Sequence, residues 1–417
     1  MQWTDRSLLI GFVSGAALAL ILDHVRQYYT STSKPSSKTQ LRAQPEETIS
    51  PSGINQIAPP PIGTGIESTI GSTPMIIIPS LSKITKCTIL AKCEHLNGAG
   101  FSPKDRVALS IITRAERDGL LTPHSGDTIY EGTVGSTGIS LATLCRAKGY
   151  QAHICMPNDQ SHEKSNLLLK LGAVVERVPP APIVDQEHFV NRARNLAKQH
   201  TADPTRPGRG YFANQFETEA NWRTHYEGTG PEIYSQSAGN IAAFCAGAGT
   251  GGTISGVAAY LKQQNPEIKV ILADPQGSGL YNKIKHGVMF HSLEREGTRR
   301  RDQVDTMVEG IGLTRSTVNF ERGMDLIDDA IKITDQQAMN MARWLVERDG
   351  IFVGSSSAVN CVAALRTALE LGPGHTVVTI LCDSGNRHLS KFWGQIGDIG
   401  GEARTTLEDI LEGRKLD

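Results

Sequence analysis

The most distinctive stretch of this chain is a run of small residues, Gly247-Ala248-Gly249-Thr250-Gly251-Gly252-Thr253. An apolar run, 241–246, precedes it and a helix-like run, 254–262, follows it, so we expect a strand, a turn and a helix. Glycines let the backbone approach a ligand closely, and the free N–H groups at a helix N-terminus favour an anion. The run therefore predicts a binding site for a phosphate group.

The same spacing also satisfies the dinucleotide fingerprint G-x-G-x-x-G at Gly247, Gly249 and Gly252. Asp274 ends a second apolar run and lies near the position where a ribose-binding acid would stand. A nicotinamide-dependent oxidoreductase is therefore one interpretation. It gives no role to Lys104 or Ser356, which stand in other turns that lead into predicted helices.

Three such turns carry groups suited to chemistry. Lys104 follows the glycine-containing turn 98–103, where desolvation would lower its pKa and make its amine a nucleophile that forms Schiff bases. The turn 131–138 offers small residues and hydroxyls that suit a carboxylate. The triple serine 355–357 precedes an apolar helix.

Apolar runs bounded by turn residues alternate with amphipathic stretches along most of the chain. The predicted strands are 88–91, 152–156, 173–178, 242–246, 270–273 and 377–382, and the predicted helices are 106–117, 138–148, 162–171 and 336–348. This alternation predicts an α/β fold with mostly parallel sheets and helices on both faces. Segments 180–210 and 291–305 are predicted to be loop insertions.

The N-terminal region has a different composition. Ser7 to Leu22 carries no charge, whereas basic residues follow from Arg26 onward. We therefore predict a transmembrane anchor at 1–28, a flexible Ser-, Thr- and Pro-rich linker at 29–65, and a folded part that the positive-inside bias keeps in the cytosol. The basic flank indicates a single-pass protein of the mitochondrial outer membrane, with the endoplasmic reticulum as the alternative.

Composition excludes several classes of function. The 42 basic and 43 acidic residues nearly balance, so no nucleic-acid partner is predicted and small molecules are favoured. The seven cysteines form no C-x-x-C pair and lie mostly in apolar runs. They predict reduced core thiols, with neither a disulfide framework nor a metal site.

Taken together, these stretches resemble the fold-type II pyridoxal-phosphate enzymes, specifically the cysteine synthase (O-acetylserine sulfhydrylase) and cystathionine β-synthase family. The resemblance covers nearly everything from Ile66 to Phe392. Its motifs are Gly71-Ser72-Thr73-Pro74-Met75, Ser102-Pro103-Lys104-Asp105-Arg106, Glu131-Gly132-Thr133-Val134-Gly135-Ser136-Thr137-Gly138, Asn214-Gln215-Phe216-Glu217, the glycine run, and Cys382-Asp383-Ser384-Gly385-Asn386-Arg387.

The resemblance implies a role for each matching position. Lys104 would form the Schiff base with pyridoxal 5'-phosphate and later move protons at the substrate Cα, and Ser356 would face the pyridine nitrogen. The cofactor phosphate would be held by Gly249, Thr250, Gly251, Gly252 and Thr253. The substrate carboxylate would be held by Thr133, Gly135, Thr137 and Gln215.

Two positions depart from the family pattern. Ser136, which we also assign to cofactor binding, stands where the family usually has an asparagine that bonds the cofactor's ring hydroxyl, and Val134 replaces a serine. These changes motivate an alternative in which the chain is a membrane-tethered scaffold or sensor with little activity.

The leading hypothesis is a β-replacement enzyme that makes L-cysteine from O-acetyl-L-serine and sulfide. A cystathionine β-synthase-like or serine dehydratase-like activity is the near alternative, and the short stretch after Phe392 favours cysteine synthase because it leaves no room for an appended regulatory domain. The resemblance implies two three-layer α/β/α domains, a large one at 66–106 and 225–417 and a small one at 107–224. It also implies a homodimer.

Overall fold

The computed structural model describes residues 62–158, 162–289, 306–402 and 404–413. These ranges contain two sheets. Their strands are β1 (Met75–Ile77), β2 (Thr88–Cys93), β3 (Thr128–Gly132), β4 (Gln151–Pro157), β5 (Val174–Val178), β6 (Gly210–Phe212), β7 (Ala243–Gly247), β8 (Lys269–Pro275), β9 (Asp329–Ile333) and β10 (Thr376–Leu381).

The larger sheet has six strands in the order β1-β2-β10-β7-β8-β9. Only β1 runs antiparallel, with Ile76 opposite Ala91, and the other neighbours are parallel. All six residues of β10 are buried, which is why this central strand is a continuous apolar run in the sequence. The smaller sheet is wholly parallel, in the order β5-β4-β3-β6.

Helices connect the strands and cover the sheets. The α-helices of the described ranges are α1 (Pro79–Thr85), α2 (Lys104–Arg117), α3 (Ser136–Lys148), α4 (His162–Lys170), α5 (Phe189–Ala202), α6 (Glu219–Thr224), α7 (Gly230–Gln236), α8 (Gly252–Gln264), α9 (Leu280–His286), α10 (Val318–Met324), α11 (Asp335–Asp349), α12 (Ser355–Leu371), α13 (Gly394–Ile396) and α14 (Leu407–Glu412). The predicted strands and helices are confirmed to within two residues at each end. The α/β class with mostly parallel sheets is confirmed as well.

The prediction of a loop insertion at 180–210 was wrong, because this segment contains α5. The buried residues Val190, Ala193 and Ala197 recur at helical spacing, and the last two pack against Tyr130 and Cys155 on the small sheet. The Pro, Arg and Gly residues that suggested a loop are concentrated between Pro204 and Gly210, after the helix has ended. Segment 291–305 lies outside the described residues.

The predicted anchor at 1–28 and most of the predicted linker also lie outside the described residues. Within the described ranges, no helix combines the length and apolar character needed to cross a membrane.

Candidate active site

A cavity of about 310 Å³ lies where the loops after β7 and β10 meet the first turns of α2, α3, α8 and α12. This is the edge at which parallel sheets usually bind ligands. The predicted site residues that line it are Lys104, Gly135, Ser136, Gly249, Thr250, Gly251, Thr253 and Ser356. Those that are buried without lining it are Thr133, Thr137, Gln215 and Gly252.

Lys104 is the first residue of α2, and the turn before it is held by the next residue, Asp105. The Asp105 Oδ2 accepts hydrogen bonds from the backbone N–H groups of Ala99 and Gly100 at 3.1 and 2.7 Å, and its Oδ1 accepts one from Ser140 at 2.5 Å. Burial lowers the pKa of Lys104 below its ordinary value, against the opposing influence of Cys382 and Asp383. A larger neutral fraction makes this amine a better nucleophile.

A buried ion network fixes the direction of α2 behind Lys104. The Arg106 guanidinium donates to both oxygens of Glu94 at 2.8 Å and to both oxygens of Glu232 at 2.7 Å. Lys92, which has no exposed surface, also pairs with Glu232 at 2.6 Å. Sequence reasoning missed this network because its members come from 92–106 and from α7, and only the fold brings them together.

The glycine run forms the turn between β7 and α8, as its composition predicts. Gly251 is the N-cap of α8 with φ of 88°, so the N-cap residue has no side chain to accept a hydrogen bond, and no acidic residue occupies the first turn. The Thr250 Oγ1 accepts a hydrogen bond from Asn221 Nδ2 at 2.8 Å, so its own hydrogen stays available to a ligand. Free N–H groups, a helix dipole and a hydroxyl donor make this turn suitable for a phosphate.

The three consecutive serines at the start of α12 have three different contacts. Ser355 Oγ accepts from the backbone N–H of Glu309 at 2.9 Å, and Ser357 Oγ accepts from that of Cys382 at 2.8 Å. Only Ser356 lines the cavity, where its hydroxyl contacts the Cys382 thiol. Burial raises the pKa of Cys382 to about 12, so this thiol is neutral and leaves the Ser356 hydroxyl without a charged neighbour on that side.

Asn360, one turn further along α12, is a site residue that sequence reasoning missed. Its Oδ1 accepts from the Gly247 N–H at 2.7 Å and its Nδ2 donates to the Ile380 carbonyl at 2.9 Å. It thereby joins the ends of β7 and β10 beneath the cavity. A lone amide in the otherwise apolar run 358–365 is the signal that could have found it.

The predicted carboxylate-binding residues come together across a long sequence separation. The Thr137 hydroxyl donates to Gln215 Oε1 at 2.5 Å, and Gln215 Nε2 donates to the Gly132 carbonyl at 3.2 Å. Asn221 Nδ2 donates to the Gln215 carbonyl as well as to Thr250, which links this loop to the glycine run. Gly135 lines the cavity, whereas Thr137 and Gln215 do not and lie in the layer of residues next to the lining.

Glu131, at the end of β3, holds Gln215 in place and has no exposed surface. Its carboxyl accepts from the Gln215 N–H at 3.2 Å and from Gln215 Nε2 at 3.3 Å. Burial raises the pKa of Glu131 to about 8, although the Gln215 hydrogen bonds act in the opposite direction. The carboxyl is therefore protonated at neutral pH.

This shift predicts a pH dependence of stability that Glu131→Gln removes. The pKa of this carboxyl is 4.5 in the unfolded chain and about 8 in the folded protein. Between these two pH values the folded state binds more protons than the unfolded state, so the free energy of unfolding falls as pH rises. Over that window we expect the free energy of unfolding of the parent to fall, relative to the variant, by on the order of 1 kcal/mol per pH unit. Urea titrations at four pH values between 5 and 8 measure the difference, and parallel profiles for the two proteins would contradict it.

Asp274, the predicted ribose-binding acid, lies outside the cavity and has contacts within the protein. It is fully buried, and its Oδ2 accepts from the Tyr281 N–H at 2.8 Å and from Lys332 Nζ at 2.9 Å. The dinucleotide interpretation of the glycine run therefore loses its acidic partner.

The groups around the cavity fit pyridoxal phosphate. The α8 turn suits its phosphate, the Lys104 amine suits its aldehyde, and the neutral Ser356 hydroxyl suits its ring nitrogen. The Ser136 hydroxyl also lines the cavity, on the α3 side. Among the described residues of the lining, these three elements are sufficient to hold the phosphate, the aldehyde and the ring nitrogen of the cofactor.

Comparison with known proteins gives a consistent result. Residues 66–383 match the family model described as pyridoxal-phosphate dependent enzyme. Cysteine synthase 2 of Emericella nidulans is 60% identical over 97% of each chain, and a Saccharomyces cerevisiae protein provisionally named a mitochondrial cysteine synthase is 52% identical over 83% of this chain and 88% of its own. The crystal structure of the O-acetylserine dependent cystathionine β-synthase from Helicobacter pylori is 32% identical, with a TM-score of 0.66 over 79% of this chain and 98% of that one.

Proposed function

Because the chain belongs to the pyridoxal-phosphate dependent enzymes, and within them to the cysteine synthase family, we propose that it makes L-cysteine from O-acetyl-L-serine and sulfide. The observation that carries the proposal is the meeting of Lys104, an uncapped α8 N-terminus and a neutral Ser356 around one cavity. When bound, pyridoxal phosphate supplies an electron sink for the negative charge that develops at the substrate Cα. Overall, a C–O bond at Cβ breaks to release acetate and a C–S bond forms in its place.

Lys104 has two tasks in this reaction. Its Nζ would hold the cofactor through the aldehyde, and in the presence of the amino-acid substrate its free amine would accept the Cα proton and later return it. Its lowered pKa suits both tasks because a neutral amine is the form that attacks and accepts protons. Asp105 keeps Lys104 in position through the turn before α2.

Ser356 and the carboxylate-binding loop orient the reactants. Ser356 would hold the ring nitrogen of the cofactor through a neutral hydroxyl, which would leave that nitrogen unprotonated and favour elimination and replacement at Cβ over chemistry that needs a long-lived carbanion. We assign Thr133, Gly135, Thr137 and Gln215 to the substrate carboxylate. The support for this is that Thr137 and Gln215 bond each other directly beneath the cavity lining.

Steady-state assays distinguish this activity from its alternatives. We expect cysteine formation from O-acetylserine and sulfide to exceed cystathionine formation from O-acetylserine or serine and homocysteine by at least about tenfold in kcat/KM. The name of the Helicobacter pylori relative makes the homocysteine reaction the second candidate. A preference for homocysteine would sink the cysteine synthase assignment, and cofactor binding without turnover of any β-substituted serine would leave a scaffold.

We also infer that the chain is anchored in the mitochondrial outer membrane by residues 1–28, with 29–65 as a linker. The uncharged run from Ser7 to Leu22 and the name of the Saccharomyces cerevisiae relative support this inference. Deleting residues 1–28 should move the protein from the membrane pellet to the supernatant while its cofactor content stays at the level of the full chain. Membrane association that survives the deletion would refute the anchor.

We infer the domain boundaries from the two sheets. All strands of the six-stranded sheet lie within 66–106 and 225–417, and all strands of the four-stranded sheet lie within 107–224. These segments would be the large and the small domain. We further infer a homodimer by family membership, which light scattering on the purified protein would check.

A further inference from the structure

An ion pair joins two residues that line the cavity. Lys164 Nζ, from α4, lies 2.6 Å from Glu309 Oε2, and the side chains are only 15% and 17% exposed. A pair this shielded from water is held more firmly than the surface pairs elsewhere on the chain, because screening and side-chain entropy weaken exposed pairs most.

Glu309 is tied to both parts of the predicted cofactor site. Its backbone N–H donates to Ser355 Oγ, next to Ser356. The residue after it, Gly310, presses against the glycine run, since a Cβ added to Gly249 would lie 2.1 Å from the Gly310 carbonyl oxygen. These contacts fix the Glu309 backbone relative to the phosphate turn and to α12, and its carboxylate also lies 3.5 Å from His388 Nδ1 and 3.8 Å from Lys391 Nζ.

Lys164, on α4, packs against the predicted carboxylate-binding loop at Gly135. A Cβ added to Gly135 would lie 3.4 Å from Lys164 Cδ and 3.8 Å from its Nζ. The four residues assigned to the carboxylate, Thr133, Gly135, Thr137 and Gln215, are all uncharged. The Lys164 ammonium can donate three hydrogen bonds. One of them goes to Glu309 Oε2, so the ammonium can also donate to a ligand.

We propose that Lys164 binds the α-carboxylate of the amino-acid substrate, and that Glu309 is a positioning residue that acts through Lys164. This inference rests on the proposed function, because it concerns the same amino-acid site. The carboxylate enters beside Gly135 as a second anionic partner of the ammonium, and the Glu309 carboxylate keeps the ammonium aimed at the loop. The pair also connects the substrate loop to the glycine run and α12.

The test uses two ligands that differ only in the carboxylate, L-serine and ethanolamine. Their affinities are measured on the cofactor-loaded full-length protein by the change in cofactor absorption, which requires no turnover. We expect the parent to prefer serine strongly and Lys164→Met to reduce the preference ratio by at least about tenfold, the size of a lost charge-assisted hydrogen bond. Lys164→Arg should restore most of the ratio, and Glu309→Gln should reduce it to a smaller extent.

Lys148→Met is the matched control. Lys148 pairs with Glu116 at 3.2 Å with both side chains 21% exposed, at the far end of α3 and outside the cavity lining. It should leave the ratio unchanged. A ratio unchanged in Lys164→Met, or equal weakening of both ligands, would overturn the proposal, whereas failure to turn over O-acetylserine with the ratio still dependent on Lys164 would overturn only the proposed reaction.

Discussion

Replacing Lys104 with alanine should abolish cysteine formation, lowering kcat by at least about 1,000-fold, and should remove the visible absorption band of the bound cofactor. Of the described residues, two lysines line the cavity, Lys104 and Lys164, and Lys164 is already paired with Glu309. Without the Lys104 amine no group attaches the cofactor covalently or moves the Cα proton. Absorption spectra of the purified protein with added pyridoxal phosphate, and initial rates with O-acetylserine and sulfide, measure the two effects.

The comparison with Lys104→Arg separates charge from chemistry. Arginine keeps a positive charge at the start of α2 but stays protonated, so it neither attaches the cofactor nor accepts the Cα proton. We expect it to fail in both measurements while its circular dichroism matches the parent. A cofactor band of parental intensity in either variant would show that Lys104 is not the attachment site.

The site groups that could be predicted from the sequence are those whose position depends only on their own short stretch of chain. The glycine run, Lys104 and the triple serine each precede a helix, and their local composition already specifies a turn with free N–H groups. Strands such as β10 were predictable because a central parallel strand is buried on both faces and is apolar throughout. The edge strand β1 has three residues, too few to show a period.

The parts that escaped prediction depend on contacts between distant segments. Arg106 looks like an ordinary charge near the start of a helix until the fold places Glu232 against it, and Glu131 looks like a solvated acid until β4, β6 and Gln215 enclose it. Lys164 and Glu309 gave no signal in the sequence for the same reason. The role of a charged residue depends on its ion-pair partner and on its burial. Both are set by contacts between distant segments, so the local sequence does not reveal them.

Gly251→Ala should weaken cofactor binding, because this glycine sets the position of the phosphate turn. Its φ of 88° is unfavourable for alanine, and the added Cβ would lie 2.5 Å from the Phe320 Cα and 2.6 Å from its backbone nitrogen. The neighbouring backbone cannot give way cheaply, since the Thr317 hydroxyl of the same segment donates to the Thr250 carbonyl at 2.7 Å. We expect a loss of stability of about 2–4 kcal/mol and an increase of at least about tenfold in the dissociation constant for pyridoxal phosphate.

Gly119→Ala is the control that distinguishes the strain of a positive φ from a displacement of the phosphate turn. Gly119 has a similar φ of 69°, yet no atom lies within 4 Å of its added Cβ, and it stands after α2 outside the cavity lining. It should lose only about 1 kcal/mol of stability and keep the parental cofactor affinity. Urea unfolding gives the first quantity and absorption titration with pyridoxal phosphate the second. Equal cofactor affinities in the two variants would mean that the phosphate is held elsewhere, whereas a loss confined to Gly251→Ala ties cofactor binding to the backbone position at the start of α8.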